Sequence, residues 1–542
     1  MEKLMSEIGI HGGQLVLLLL LLFVTIFAVV ARKIQVPYPI VLVIAGLLLG
    51  FVPGIPQIAL EPDLIFLVVL PPLLFASAWV TSWRDLSRNL VSITMLAPGL
   101  VAFTVLAVAV AASWFLPGFD WRLGFVLGAA VATTDAIAAT SIAKRIGLPK
   151  NIVDLLEGES LINDATGLLA LEFAIAMVVE GRQPTVGAGL VRLLYLITGG
   201  VAIGLIVGLI VEWFEHRIDD GPVEIAISIL VPYAAYLSAE AIHSSGVLAV
   251  VAAGLYVGKK SSEFFSPGVR LQTRAVWNAV EFILNGFVFV LIGLQLPFVL
   301  AGVSELKMGR LLLYAGLFSI FLILFRLLWT FPGSYAAVFI RKKFLRQKED
   351  WPSPRAVFVV GWTGMRGVLA LAAAISLPET TANGSAFPHR DLIIFLTFSV
   401  ILVTLVLQGL MLPHVIRALA LSAPSNPASK EQDARRLVLE AALAHIDQNR
   451  QSDLSRAADV YEDLAKQYQH SLASVSRVNE EAGIDNSEHY LQYLDLSRTL
   501  LDVERTTALR LRDEGVITDE ALRDIEHELD LSETRLAASS HA

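Results

Sequence analysis

ATTDAIAATSIAKRIGLPKNIVDLLEGESLIND, residues 132–164, is the stretch that decides how the chain is read. It joins two apolar segments, and each carries a carboxylate, Asp135 or Asp164, about a dozen residues from its end. At a rise of ~1.5 Å per residue, a dozen residues is ~18 Å, which places both acids near the middle of a ~30 Å hydrocarbon layer. A bare carboxylate at that depth costs roughly 2.5–3.5 kcal/mol to insert, so acids on successive spans read as an ion or proton site.

Working outward, 55% of the 542 residues are hydrophobic and 17% charged, and the mean hydropathy is +0.65. Apolar runs reach the ~20 residues that cross a bilayer, and they are rich in Leu, Val, Ile, Ala and Gly without strand alternation. The expected class is an all-α polytopic membrane protein, because helices satisfy their own backbone polar groups in lipid. There is no cysteine, which excludes disulfides and thiolate metal sites. The first run, 14–31, lacks a small-residue cleavage site and reads as a first transmembrane helix instead of a removable signal.

Hydropathy punctuated by Pro, Gly and charge places spans near 14–31, 36–54, 63–80, 90–115, 122–143, 152–179, 190–213, 223–241, 244–258, 274–297, 309–340, 355–377 and 391–416. That makes about 13 transmembrane helices. Loops with Arg32/Lys33, Arg84/Arg88, Lys144/Arg145/Lys150, Arg217, Lys259/Lys260/Arg270/Arg274 and Arg341/Lys342/Lys343/Arg346/Lys348 fall on one side. The positive-inside rule makes that side cytoplasmic, with the N-terminus outside, the C-terminus inside and the protein in the cytoplasmic membrane. An inverted repeat is expected, spans 1–6 against spans 8–13. The corresponding fifth and twelfth spans are both interrupted at mid-depth, by Thr133-Thr134-Asp135 and by residues 361–367, GWTGMRG. Interrupted helices in matching positions of two halves point to a transporter binding site at the repeat interface.

After about residue 418 the character changes. The domain expectation is a membrane domain over 1–417, a Pro/Ser linker over 418–429 and a cytoplasmic helical module over 430–542. The tail holds roughly 24 acidic against 13 basic side chains. Helices are expected over 431–449, 454–474, 488–512 and 519–535, with Leu437, Leu439, Ala442 and Ile446 at helical spacing. No nucleic-acid signature appears, and docking of the acidic tail on the basic loops, or a regulatory ligand there, is expected to tune the response.

Within the membrane part, Glu159–Asn163 and Ser160–Asp164 are i,i+4 pairs on neighbouring parts of one helix face. A carboxylate, an amide and hydroxyls supply the hard oxygens that an alkali cation needs, with no His cluster to suggest a transition metal. Asp164 is the leading candidate, with Asp135, Thr134 and Ser160 beside it and Thr133 as a further hydroxyl. Arg366 lies inside an apolar span and requires a partner, for which Glu159 is the natural candidate. Glu281, Asn285 and Arg326 are secondary candidates whose rival reading is a structural ion pair, and Glu172, deep in the sixth span, is a secondary candidate with no assigned role. Asp154 and Glu157 read as a solvated face, Pro71-Pro72 as a kink, and His243 as a loop residue.

The run TTDAIA, then EGESLINDATGLL, then GMRG closely resembles the monovalent cation:proton antiporter family, which holds bacterial NhaP-type and eukaryotic sodium/proton exchangers. The resemblance spans essentially all of 1–417, and the branch with a C-terminal helical module is the best match. It implies thirteen helices in a dimerisation domain and a core domain, two crossing broken helices, and elevator-like alternating access in a homodimer. It further implies that Asp164 carries cation and proton, that Asp135, Thr134 and Ser160 complete the site, and that Glu159 pairs with Arg366. Asn163 before Asp164 matches the electroneutral members, so one-for-one exchange of Na+, Li+ or K+ for H+ is expected, with no cofactor. A cation-coupled carrier of a small organic solute is the nearer rival, and a channel the more distant. An enzyme is the least supported, since no nucleophile elbow or phosphate loop stands in the spans.

Overall fold

The computed structural model describes residues 12–52, 60–81, 83–181, 186–218, 220–303, 307–346, 350–421, 427–452 and 484–514, with scattered positions over 461–472 and 522–534. It divides into two units, Met1–Ala423 and Pro424–Ala542. Among the described residues the chain is helical, with a lone bridge between Thr380 and Ala386. In the first unit the helices are α1 (Gly12–Ile34), α2 (Tyr38–Gly50), α3 (Leu70–Val80), α4 (Trp83–Leu96), α5 (Pro98–Phe115), α6 (Trp121–Ala130), α7 (Ala136–Ile146) and α8 (Lys150–Val179). They continue as α9 (Val186–Glu215), α10 (Gly221–Ala241), α11 (Gly246–Phe264), α12 (Pro267–Leu294), α13 (Leu296–Gly302), α14 (Met308–Lys343), α15 (Pro354–Trp362), α16 (Val368–Ile375), α17 (Arg390–Leu402) and α18 (Gly409–Ala418). A helix or a helix pair lies over each stretch that hydropathy selects. Seven spans among the described residues are long and apolar enough to cross a membrane; Tyr38–Gly50, Leu64–Val80 and Trp121–Ala130 are apolar but shorter.

Two of the predicted spans are broken. One is split into α6 and α7 by residues 131–135, the other into α15 and α16 by residues 363–367. A third irregularity precedes α3, where Leu64–Val69 winds as a π-helix into Pro71-Pro72. Pro72 has no N–H to offer the carbonyl four residues back, and that carbonyl, on Val68, accepts from the Tyr233 hydroxyl at 3.1 Å. Freed backbone groups at membrane depth are satisfied by neighbouring side chains, as lipid requires. A second π-helical stretch, Val403–Gln408, joins α17 to α18 and sets Thr404 toward the second break.

Buried apolar side chains form two clusters. One gathers the broken helices with α5, the end of α12 and α17; the other gathers α3, α10 and α11. Residues of α8 belong to both, so this helix stands between them.

In the second unit, helices run over Pro427–Ser452 and Ile484–Asp513, covering the expected 431–449 and 488–512. Ile446 is buried there, whereas Leu437, expected on the same stripe, is exposed. Arg505 ties the later helix to Asp530 at 2.6 Å and Glu533 at 3.0 Å. Most of 454–474 and 519–535, linker residues 422–426, Lys348 and the side chains of Arg84, Arg88, Lys144, Arg145 and Lys150 lie outside the described residues.

Candidate ion-binding site

The two breaks meet. Asp135 N–H at the start of α7 donates to the Met365 carbonyl at 2.8 Å, which joins the broken spans at their midpoints. Each half-helix that stops there leaves carbonyls without helical donors and a partial negative charge at its C-terminal end. Arg366 Nη1 serves the end of α6, donating to the carbonyls of Ala132 at 3.3 Å and Thr133 at 3.2 Å. Arg326, from α14, serves the end of α15, with Nε to Gly361 O at 3.2 Å and Nη2 to Val360 O at 3.4 Å. Gly364 has to be glycine for this, because a Cβ there would run into the Arg326 side chain. The Arg366 N–H donates to Thr404 Oγ1 at 3.1 Å, and that hydroxyl donates to Val400 O at 2.8 Å.

Helix α8 presents its polar face to this crossing. Ser160 Oγ donates to Thr134 O at 2.6 Å, and Asn163 Nδ2 donates to Thr134 Oγ1 at 2.9 Å, so the first break is pinned from the side. Glu159 is buried and lies 2.7 Å from Arg326 Nη2, which also donates to its second oxygen at 3.0 Å. Asp164 has no such partner: its Oδ1 is buried and accepts no hydrogen bond. Asp135 and Arg366 both lie within electrostatic reach of it. The Asp135 carboxylate packs over Gly367, the residue that opens α16, where a Cβ would collide with it. The carboxylate thus faces the positive end of a half-helix.

A cavity of about 100 Å³ opens at this point. Its polar wall includes Thr133, Thr134, Asp135, Ser160 and Asp164, and the opposite wall is apolar, with Leu70, Leu74 and Phe289. Five hard oxygen groups therefore converge on a small space with a greasy back wall, the form of a site for a small dehydrated cation.

The predicted residues are thus largely gathered, with four corrections. Glu159 pairs with Arg326 and not with Arg366, because Arg366 sits on the break itself and turns to the α6 carbonyls while Arg326 projects from α14 onto the Glu159 face. Glu172 is exposed and bonded to Arg192 at 3.0 Å, two turns along α8 from Asp164, which removes it from the site. Glu157, read as a solvated face, lines the cavity. Glu281 does not line it, whereas Asn285 does. Sequence reasoning missed Thr404, which nothing in an apolar run singles out, and Tyr38, which lies within hydrogen-bonding reach of Asn285 and in the field of Glu281 and Asp135.

Comparison with known proteins gives the chain a family and a fold. The family model described as sodium/hydrogen exchanger, transmembrane, matches residues 18–418. The uncharacterized Na(+)/H(+) exchanger YjcE of Escherichia coli is 31% identical, over 96% of this chain and 98% of its own. A sodium, potassium, lithium and rubidium/H(+) antiporter of Bacillus pumilus is 31% identical over 92% of this chain and 74% of its own. Among solved structures, the sodium proton antiporter MjNhaP1 of Methanocaldococcus jannaschii superposes with a TM-score of 0.57 at 20% identity, covering 77% of this chain and 99% of that one. At that identity the likeness speaks for the fold.

Proposed function

Since the chain belongs to the sodium/hydrogen exchanger family and spans the membrane several times, we propose that it exchanges Na+ for H+ one for one, with Asp164 holding either the cation or the proton. The observation that carries this reading is the unpartnered, buried Oδ1 of Asp164 in a cavity of about 100 Å³. Thr134, Ser160 and Asp135 complete the ligand set, and Asn163 fixes Thr134 without carrying a charge of its own.

The count of charges supports electroneutrality. Glu159 is paired with Arg326, and Arg366 acts on Asp164, the carboxylate whose Oδ1 no donor reaches, so a single group is left to take one cation or one proton. Binding either one completes the same balance, so neither half-cycle moves net charge beyond the other. Rocking of the broken-helix cluster against the α3, α10 and α11 cluster, within a homodimer, would expose the cavity to each side in turn. The excess of basic residues in one set of loops supports an orientation with the N-terminus outside and the C-terminus in the cytoplasm. The name of the Bacillus relative adds potassium, lithium and rubidium to sodium as cations to compare. An organic solute is disfavoured by size, since pockets for such ligands run to ~300–1,000 Å³.

Cation-driven proton movement in proteoliposomes with a trapped pH dye tests this, with and without an imposed potential. Wild type is expected to respond to Na+ irrespective of potential, and Asp164→Asn to be silent. Exchange driven by the potential would add a second titrating carboxylate, Glu157 or Glu281, to the count. Silence of the wild type with every alkali cation would sink the reading.

A further inference from the structure

The ligands assigned above all come from one side of the cavity, from the first break and α8. The other wall, built by α3 and α12, is apolar except for two side chains, Ser77 and Asn285. Asn285 is 1% exposed, and its buried Nδ2 donates no hydrogen bond. A buried donor left without an acceptor costs about 1–3 kcal/mol, whereas an apolar group of the same shape costs nothing of the kind. An amide kept on a wall of Leu and Phe therefore calls for a use beyond packing.

The helices behind that wall hold the amide in a fixed place. Tyr38 packs on Phe282 with ring centroids 5.8 Å apart, Gly46 lies against Val290 and Gly50 against Pro297, so α2 and α12 run parallel and in register. A Cβ at Gly46 would collide with the Val290 carbonyl, and one at Gly293 with that of Val43, which shows how closely the two backbones approach. Tyr38 opens α2, and its hydroxyl lies within hydrogen-bonding reach of Asn285 and in the fields of Glu281 and of Asp135, a cavity residue. An amide has N–H donors at one end and a carbonyl acceptor at the other. A tyrosine oxygen can take the donor, which leaves the carbonyl for the cavity.

We propose that Asn285 is a further cation ligand, its carbonyl oxygen closing the coordination shell from the wall opposite α8, and that Tyr38 is the positioning residue that holds the amide by its N–H. The inference rests on the exchange reading above and adds to it the group that tells a cation from a proton. An amide carbonyl is a hard oxygen ligand. It carries no charge, so the one-for-one count is untouched, and it does not take up a proton at working pH. Asp164 serves both states of the site; Asn285 stabilises only the one that holds a cation.

The test is exchange by the full chain in proteoliposomes, read as a KM for Na+ and a maximal rate, with the thermal unfolding midpoint of each protein alongside. Asn285→Leu, or Asn285→Ala if the branched side chain unfolds the protein, should raise the KM at least tenfold. The maximal rate should change much less, and the midpoint should stay within a few degrees of wild type. Asn285→Asp, which keeps an oxygen at the same place, should recover most of the affinity at alkaline pH. Tyr38→Phe, which keeps the ring on Phe282, should raise the KM severalfold. An unchanged KM in Asn285→Leu and Asn285→Ala, or a loss confined to the maximal rate, overturns the proposal while exchange by the wild type still stands. So does an Asn285→Asp protein that takes up Na+ as poorly as Asn285→Leu. A wild type silent with every alkali cation overturns the exchange reading and this proposal with it.

Discussion

The two helix breaks solve the same problem with the same residue type, and the difference lies in what else each arginine touches. Arg326 caps α15 and also meets Glu159, so its charge is consumed inside a buried pair. Arg366 caps α6 with no carboxylate in contact, and its field reaches Asp164. One break is therefore clamped, and the other is left electrostatically open toward the cavity. A break that must hold its shape needs a closed charge balance; a break that must bind and release a cation needs one left open by a single charge.

The contrast can be tested from both sides. Asp164→Asn should reduce exchange to the level of empty liposomes while leaving the unfolding midpoint within a few degrees of wild type, since the residue has no partner to strand. Removing one member of the clamp, as in Arg326→Gln or Glu159→Gln, should cost about 3–5 kcal/mol of stability, because it abandons a buried charge. The double variant should recover part of that loss, and a thermodynamic cycle over the four proteins would read the coupling directly. Arg366→Gln should behave the other way round, losing at least tenfold in exchange rate for about 1–3 kcal/mol of stability, the cost of carbonyls left without a donor. If Arg366→Gln proved as destabilising as Arg326→Gln, the distinction between clamped and open breaks would fail.

Smaller effects refine the picture. Ser160→Ala should cost about 1 kcal/mol through the lost bond to Thr134 O and lower apparent cation affinity several-fold. Glu172→Gln, which opens only an exposed pair with Arg192, should change stability by less than about 1 kcal/mol and leave stoichiometry untouched.

How far the sequence carried the reading follows from which quantities are local. Hydropathy is a property of a short stretch, so the positions of helices were legible, as were the two interruptions, because Thr133-Thr134-Asp135 and GWTGMRG are conspicuous within apolar runs. Asp164 was legible for the same reason: an acid at mid-depth is costly wherever its neighbours lie. Pairing is not local. From the chain alone, Glu159 had two arginines to choose between, and Glu172 lay inside an apolar span with nothing to name its partner. The choice of Arg326 depends on which face of α14 meets α8, and the dismissal of Glu172 on Arg192 arriving from α9. Thr404 owes its role to a π-turn that rotates one hydroxyl toward the second break.

By itself, then, the sequence determined that this is a helical membrane protein with two broken spans and a charged midplane, because the cost of burying a charge or an unpaired peptide in lipid is paid residue by residue. Only the tertiary structure decided which carboxylate keeps its charge available. That depends on the few ångströms between side chains of helices far apart in the chain, where a guanidinium 2.7 Å from Glu159 closes one balance and the lack of a donor to the buried Oδ1 of Asp164 leaves the other open.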